Sequence, residues 1–265
     1  MRWCERGVPT GRVRHKLCGG LRMQWSGVSL LLTLFLTVGG LLGQPAFAQE
    51  TFRYEIIITN LTRGQQLTAP LVVTHKAGLR LFTIGQPVTP QLAMFAEDGT
   101  ATALAATLAG TAEVKDIFVT AGIPTANTLL DPGKSATVTV EGNLQFDHLS
   151  LIAKMLPTND AFIAVNGISG PPSEKSVTLF VPAYDAGSEQ NDELCDSIIG
   201  PNLTECGGPG SGRHPGNGEG FVYVHNGIHG VGNLTAGIRD WRNPVARIII
   251  RRVTGTSSGA PEVDL

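Results

Sequence analysis

Three observations predict a mainly β fold, a β-sandwich with one or two short helices. Apolar residues recur at every second position over short runs, turn-forming Gly, Pro, Asn and Asp separate those runs at irregular intervals, and helical periodicity is confined to residues 91–108. Irregular spacing favours a sandwich over an up-and-down barrel, whose strands come at even intervals.

Taken in order, the first strand starts at Thr51. Phe52, Tyr54, Ile56 and Ile58 fall on one face and Arg53, Glu55, Ile57 and Thr59 on the other, so one side is wet, and residues 60–64 end the run. Residues 71–75 form a strand after Pro70, and residues 79–84 are a short apolar piece between Gly78 and a Gly-Gln-Pro turn. Residues 91–108 are rich in Ala and Leu and broken at Asp98-Gly99, which suits helix on the rim of the sandwich. Strands resume at 112–121, 135–140, 149–156, 161–168 and 176–181, the last after a Pro171-Pro172 corner. Residues 187–220 carry many Gly, Pro, Asn and Asp and little periodicity, so they read as a long loop that needs a restraint. Residues 221–225 and 245–253 complete the sheet.

The chain opens with a basic stretch, an apolar run over residues 29–42 and the small-x-small signal Ala46-Phe47-Ala48. That order is a secretory signal peptide, residues 1–48, cleaved before Gln49. The basic leader is long, and Met23 would by itself begin a signal of ordinary length, so either Met1 or Met23 serves as the start. The apolar run is too short to span a bilayer comfortably, so no stable membrane insertion is expected after cleavage. The expected organisation is therefore the leader, one domain over residues 49–253, and a disordered tail over residues 254–265.

The whole chain has 20 Lys+Arg and 22 Asp+Glu; the leader takes six of the former and one of the latter, leaving 14 against 21. An acidic domain of this kind has no basic surface to track a nucleic-acid backbone. Cys4 and Cys18 leave with the leader, so Cys195 and Cys206 remain as an even pair in an exported chain and are expected to form a disulfide across the long loop.

Two stretches share a pattern. Leu156-Pro157-Thr158-Asn159-Asp160-Ala161-Phe162 and Pro182-Ala183-Tyr184-Asp185-Ala186-Gly187-Ser188-Glu189 each take an apolar run through a proline to a carboxylate. Carboxylates beside loop carbonyls suit a hard cation that wants six to eight oxygens, and Asp160, Asp185 and Glu189 are the candidate ligands for Ca2+. The rival constellation is His225-Asn226-Gly227-Ile228-His229, two histidines four apart, which with Asp240 or Glu219 would make a secreted metal-dependent hydrolase. The glycines at 227 and 230 argue against the helix that this spacing needs. No serine stands at the strand-to-helix turn of a nucleophile elbow, and the Gly-rich pieces around 207–220 follow no strand and open no helix. Trp241, the one tryptophan after the leader, reads as a plug closing the end of the sandwich. Asn60, Asn202 and Asn233 head N-x-T sequons, which a eukaryotic secretory pathway would glycosylate.

The stretches 157–162 and 182–189, together with Asn243-Pro-Val-Ala-Arg-Ile-Ile-Ile-Arg-Arg252, resemble the spondin domain of F-spondin and mindin over roughly residues 51–253, most specifically in Tyr-Asp-Ala-Gly-Ser-Glu. The resemblance implies a C2-like antiparallel sandwich that binds calcium at one end. It further implies a secreted or periplasmic adhesion or interaction module for an extracellular protein or glycan partner, not an enzyme.

Overall fold

The computed structural model describes residues 50–119, 128–201 and 203–253. The leader, the tail, the end of the strand expected at 112–121 and the Asn202 sequon lie outside the described residues.

The described residues form, in order, β1 (Thr51–Asn60), β2 (Gln66–Leu67), β3 (Leu71–His75), α1 (Pro90–Asp98), α2 (Thr102–Ala109), β4 (Val114–Phe118), β5 (Ser135–Asn143), β6 (His148–Leu156) and β7 (Ala161–Ser169). After these come β8 (Ser176–Val181), β9 (Ala183–Asp185), β10 (Tyr223–Val224), α3 (Ala236–Arg239) and β11 (Ala246–Val253). They build two antiparallel sheets. One runs β5-β1-β11-β8, the other β10-β9-β7-β6-β3-β4, with β2 paired to β6. The fold is a mainly β sandwich.

The alternation in β1 points Phe52, Tyr54, Ile56 and Ile58 into the space between the sheets, where they are buried. Register sets β-branched residues opposite one another, Ile56 against Ile250 and Val138, and Ile58 against Ile248, which is the packing that stabilises a sheet face. Alternate residues of β6 and β7, including Leu149, Leu151, Met155, Ile163 and Val165, fill the core from the other side. The residues between them, Ile152, Phe162 and Ala164, meet Leu92, Phe95, Leu104 and Leu108 of the two main helices in a second core. The larger sheet is thus buried on both faces, which is why β3 and most of β6 and β7 are buried without interruption.

That second core corrects the expectation that the helices sit on the rim: they cover the outer face of the larger sheet. Thr89 caps α1, accepting the Leu92 N–H; Pro90 opens it, and Gly99 ends it at φ 76°. The Asp98-Gly99 break therefore separates two helices. Phe95 is wholly buried between them and the sheet, so its truncation to Ala would cost about 3–5 kcal/mol.

Residues 79–84 form no strand, although Leu81 and Phe82 among them are buried. Pro182 does not open a loop either; it carries the chain from β8 in one sheet to β9 in the other. Trp241 closes the inter-sheet core, as its isolation before the last strand predicts.

The end of β1 and the start of β11 share one pole, with Asn60 opposite Ala246. Asn60 is wholly buried there. Its amide donates to the carbonyls of Gln65 and Leu130 and accepts from the N–H and hydroxyl of Thr62. A sequon asparagine so occupied is a fastener of the pole and offers no nitrogen to a glycan.

Candidate functional site

The β6–β7 turn, Pro157 to Asp160, is closed by Thr158, whose hydroxyl donates to the Met155 carbonyl and accepts the Ala161 N–H. The turn lies against the segment that follows β9, and side chains from each tie the two together. Asp160 Oδ2 accepts the Ser188 N–H at 2.7 Å, the Ser188 hydroxyl at 3.1 Å and the Glu189 N–H at 3.0 Å. Asn159 donates to Asp192 and accepts the Glu193 N–H.

Asp185 ends β9, opposite Ala161 of β7 and Tyr223 of β10. Its Oδ1 accepts the N–H of Gly187 two residues on, a local turn that these side chains make readily, and its Oδ2 accepts from Asn191 at 2.7 Å. Gly187 has φ 65°, and a Cβ there would fall 2.3 Å from the Phe221 carbonyl oxygen, so the Asp-Ala-Gly-Ser-Glu segment folds back only through a glycine. Glu189 Oε1 accepts the His214 N–H.

These three carboxylates are buried, Asp160 and Asp185 fully and Glu189 to 1% exposure, and two of their oxygens, Asp160 Oδ1 and Glu189 Oε2, have no hydrogen-bond partner. A buried carboxylate oxygen with no donor is costly. Burial pushes the Asp160 carboxyl up to about 6, with the like charge of Asp185 adding to it, and pushes Glu189 up to about 8. Asp185 rises for the same reason.

Lys154 was not a candidate by sequence, yet it is wholly buried beside this site. Its ammonium donates to the carbonyls of Ala96 at 2.5 Å, Asn159 at 2.8 Å and Thr158 at 3.1 Å, so it joins the end of α1 to the β6–β7 turn. Burial lowers it to about 8 against the pull of Asp160 and Glu189. The one sequence signal was a lysine inside the otherwise apolar end of β6. Glu97, also buried, lies 2.9 Å from the Arg213 guanidinium.

The structure brings Asp160, Asp185 and Glu189 into one region through backbone hydrogen bonds. Among the described residues, no three His, Cys, Asp or Glu side chains form a ready-made metal cluster. The donor chemistry in this region, two unpaired carboxylate oxygens and a third carboxylate, is of the hard kind that calcium takes.

The histidines do not form a site. His225 is buried against Trp241, with ring centroids 5.0 Å apart; its Nδ1 accepts the Gly227 N–H, and its Nε2 stands 3.5 Å from Asp185 Oδ2. Burial lowers His225 to about 4. His229 is exposed, and its N–H joins those of Gly230 and Val231 in donating to the buried carboxylate of Glu193. Asp240 accepts the Ile228 N–H and pairs with Arg242, so it completes no site with them.

Cys195 and Cys206 are bonded, with Cα atoms 5.6 Å apart, and restrain the long loop as expected. Arg239 fastens the same loop through two bonds to Glu205. No helix of the described residues is long and apolar enough to cross a membrane.

The family Spondin_N matches residues 53–192, just over half of the chain. The match takes in Asp160, Asp185 and Glu189 and leaves out the disulfide and both histidines of the 225–229 stretch. Among curated proteins, none matches.

Proposed function

The chain belongs to the Spondin_N family of extracellular, non-enzymatic modules, and from that premise we propose that it is a secreted, calcium-binding interaction module. Asp160, Asp185 and Glu189 supply the charged ligands. The observation that carries this reading is the pair of buried carboxylate oxygens, Asp160 Oδ1 and Glu189 Oε2, that no donor of the protein satisfies. Calcium bound there neutralises like charges and clamps the β6–β7 turn to the segment after β9.

A module of this kind has no chemistry to perform; calcium makes one pole rigid, and the loops around it present a surface to an extracellular protein or glycan. Metal analysis and isothermal titration test the reading. One calcium per chain, bound in the presence of excess magnesium and absent in Asp185→Asn, is the expected result. A chain that binds no calcium overturns it. Intact-mass measurement of the exported form checks secretion, with Gln49 expected as the first residue.

A further inference from the structure

Just beyond Asn60 the surface opens into a cavity of about 420 Å³, within the range of small-ligand sites. Leu61 and Arg63 line it from the β1–β2 connection; Gly237, Asp240, Trp241 and Arg242 line it from α3 and the segment that leads to β11. Its two walls are fixed to each other. Arg63 donates to the Gly237 carbonyl, Arg239 to the Gly64 carbonyl at 2.7 Å, and Gln65 to the Arg239 carbonyl at 2.6 Å. A Cβ at Gly64 would fall 2.2 Å from the Ile238 carbonyl oxygen, so the segments touch backbone to backbone. A ligand therefore meets a formed site and does not have to order one.

The polar groups of this lining are mostly donors. A guanidinium carries five N–H bonds. Arg63 gives one to Gly237, and Arg242 uses Nη1 on Asp240 and on the Trp241 carbonyl. The Nε–Nη2 edge of Arg242 is left whole, and that edge grips a carboxylate through two parallel bonds. The indole N–H of Trp241 is buried without an acceptor among the described residues, so this wall is short of an oxygen. Two arginines against one aspartate make the lining positive in a domain with 14 basic residues against 21 acidic ones, which draws anions to it. Asp240 is the acceptor of the set: its oxygens take the Ile228 N–H and Arg242, and each keeps a lone pair.

We propose that this cavity binds an acidic sugar residue, with its carboxylate held by Arg63 and Arg242 and a ring hydroxyl donating to Asp240. The proposal rests on the interaction-module reading above and names the class of ligand such a module takes; it does not rest on calcium. An Asp or Glu side chain of a protein partner would satisfy the arginines and leave Asp240 unused. A uronate ring carries a carboxylate and hydroxyls together, and its C–H face suits the exposed Leu61.

Trp241 is the one tryptophan after residue 25, so in the exported chain its fluorescence reports what enters the cavity it lines. Three probes are titrated in chelator, where no carboxylate can be held through a metal ion. They are a tetrasaccharide of alternating glucuronate and N-acetylglucosamine, the same tetrasaccharide with its carboxyls reduced to alcohols, and tetraglutamate. Saturable binding of the first alone is expected, weakening as salt rises. Arg63→Gln/Arg242→Gln should weaken it roughly tenfold or more, as the loss of charge-assisted bonds requires. Gly237→Phe should block it by filling the cavity, since a Cβ added there meets nothing within 4 Å. No binding of the first probe, equal binding of either of the others, or an unchanged affinity in the double arginine variant overturns the proposal. Should that variant fail to fold, undiminished binding in Gly237→Phe overturns it instead. A chain that binds no calcium but takes the acidic sugar through Arg63 and Arg242 refutes the calcium reading and supports this one.

Discussion

The Asp160 carboxylate accepts the main-chain N–H of Glu189 at 3.0 Å through one oxygen, while its other oxygen meets no donor. One group thus holds the Asp-Ala-Gly-Ser-Glu segment in place and keeps an oxygen in reserve.

The first prediction concerns the ligand that reserve implies. At free calcium about a hundred times Kd, binding to the native state alone adds about 2.7 kcal/mol, several degrees in Tm for a chain this size. Asp185→Asn should lose most of that gain. Without calcium the variant should differ little from wild type, because the lost bond from Asn191, worth about 1 kcal/mol, is offset by relief of repulsion from Asp160. Melts in calcium, magnesium and chelator decide it; equal calcium shifts in variant and wild type would place the ion elsewhere.

The second is a pH dependence. Asp160 rises from 3.8 to about 6 and Glu189 from 4.5 to about 8 on folding, so the metal-free folded chain holds protons that the unfolded chain releases. Their contribution is fully present below the unfolded values and is lost as pH climbs through the folded ones. His225, lowered from 6.5 to about 4, works the other way, losing stability as pH falls between those values. In chelator, denaturant-derived stability should fall from pH 6.5 to 8, where His225 no longer offsets the carboxylates, and calcium should flatten the fall. His225→Gln should extend the decline down toward pH 4. A chelated chain whose stability rises over pH 6.5 to 8 contradicts the burial of these carboxylates.

The third concerns Asn60. Replacing it with Ala removes its hydrogen bonds at a buried pole and strands the Thr62 N–H, while the Thr62 hydroxyl keeps the Gln65 carbonyl and the Leu130 carbonyl keeps the Leu67 N–H, a loss on the order of 2 kcal/mol. Urea titration measures it, and a loss under about 1 kcal/mol would show that water replaces the side chain. On export from a eukaryotic host, glycopeptide mapping should find sugar at the exposed Asn233 and none at Asn60.

The fourth concerns the Cys195–Cys206 bond. Its short loop limits the chain-entropy gain to about 2–3 kcal/mol. The Cys195→Ser/Cys206→Ser variant should therefore remain folded, lose about that much in urea titration and suffer faster proteolysis between residues 190 and 220. Unfolding of the whole domain would mean that the loop is part of its core.

Much of this architecture could be read from residue order. The run after Pro70 places β3 and period-two alternation places β8 at their observed bounds, and Asp98-Gly99 marks the gap between α1 and α2. The position of the helices could not be read so directly, because alternation says which face of a strand is apolar and not what lies on it. The signal was the run from Leu149 to Leu156, apolar on both faces but for Ser150 and Lys154, which demands a layer on each side. β9 was hidden because three residues after a proline show no period. The carboxylates announced themselves by type and place. Lys154 did not: a lysine in a strand ordinarily carries its charge out to water, and the three carbonyls that hold this one come from α1 and a turn that only the folded chain brings near.

β1 and β11 are antiparallel neighbours in the middle of their sheet, with Arg53 opposite Val253 at one pole and Asn60 opposite Ala246 at the other. Tension applied between residues 51 and 253 therefore enters at a single corner and breaks the rungs between these strands one at a time, as a zipper opens, instead of loading them all in shear. A domain so wired is a weak link in series but a good pendant. Mounted by that corner, it leaves its opposite pole turned outward, free of the strain its tether carries.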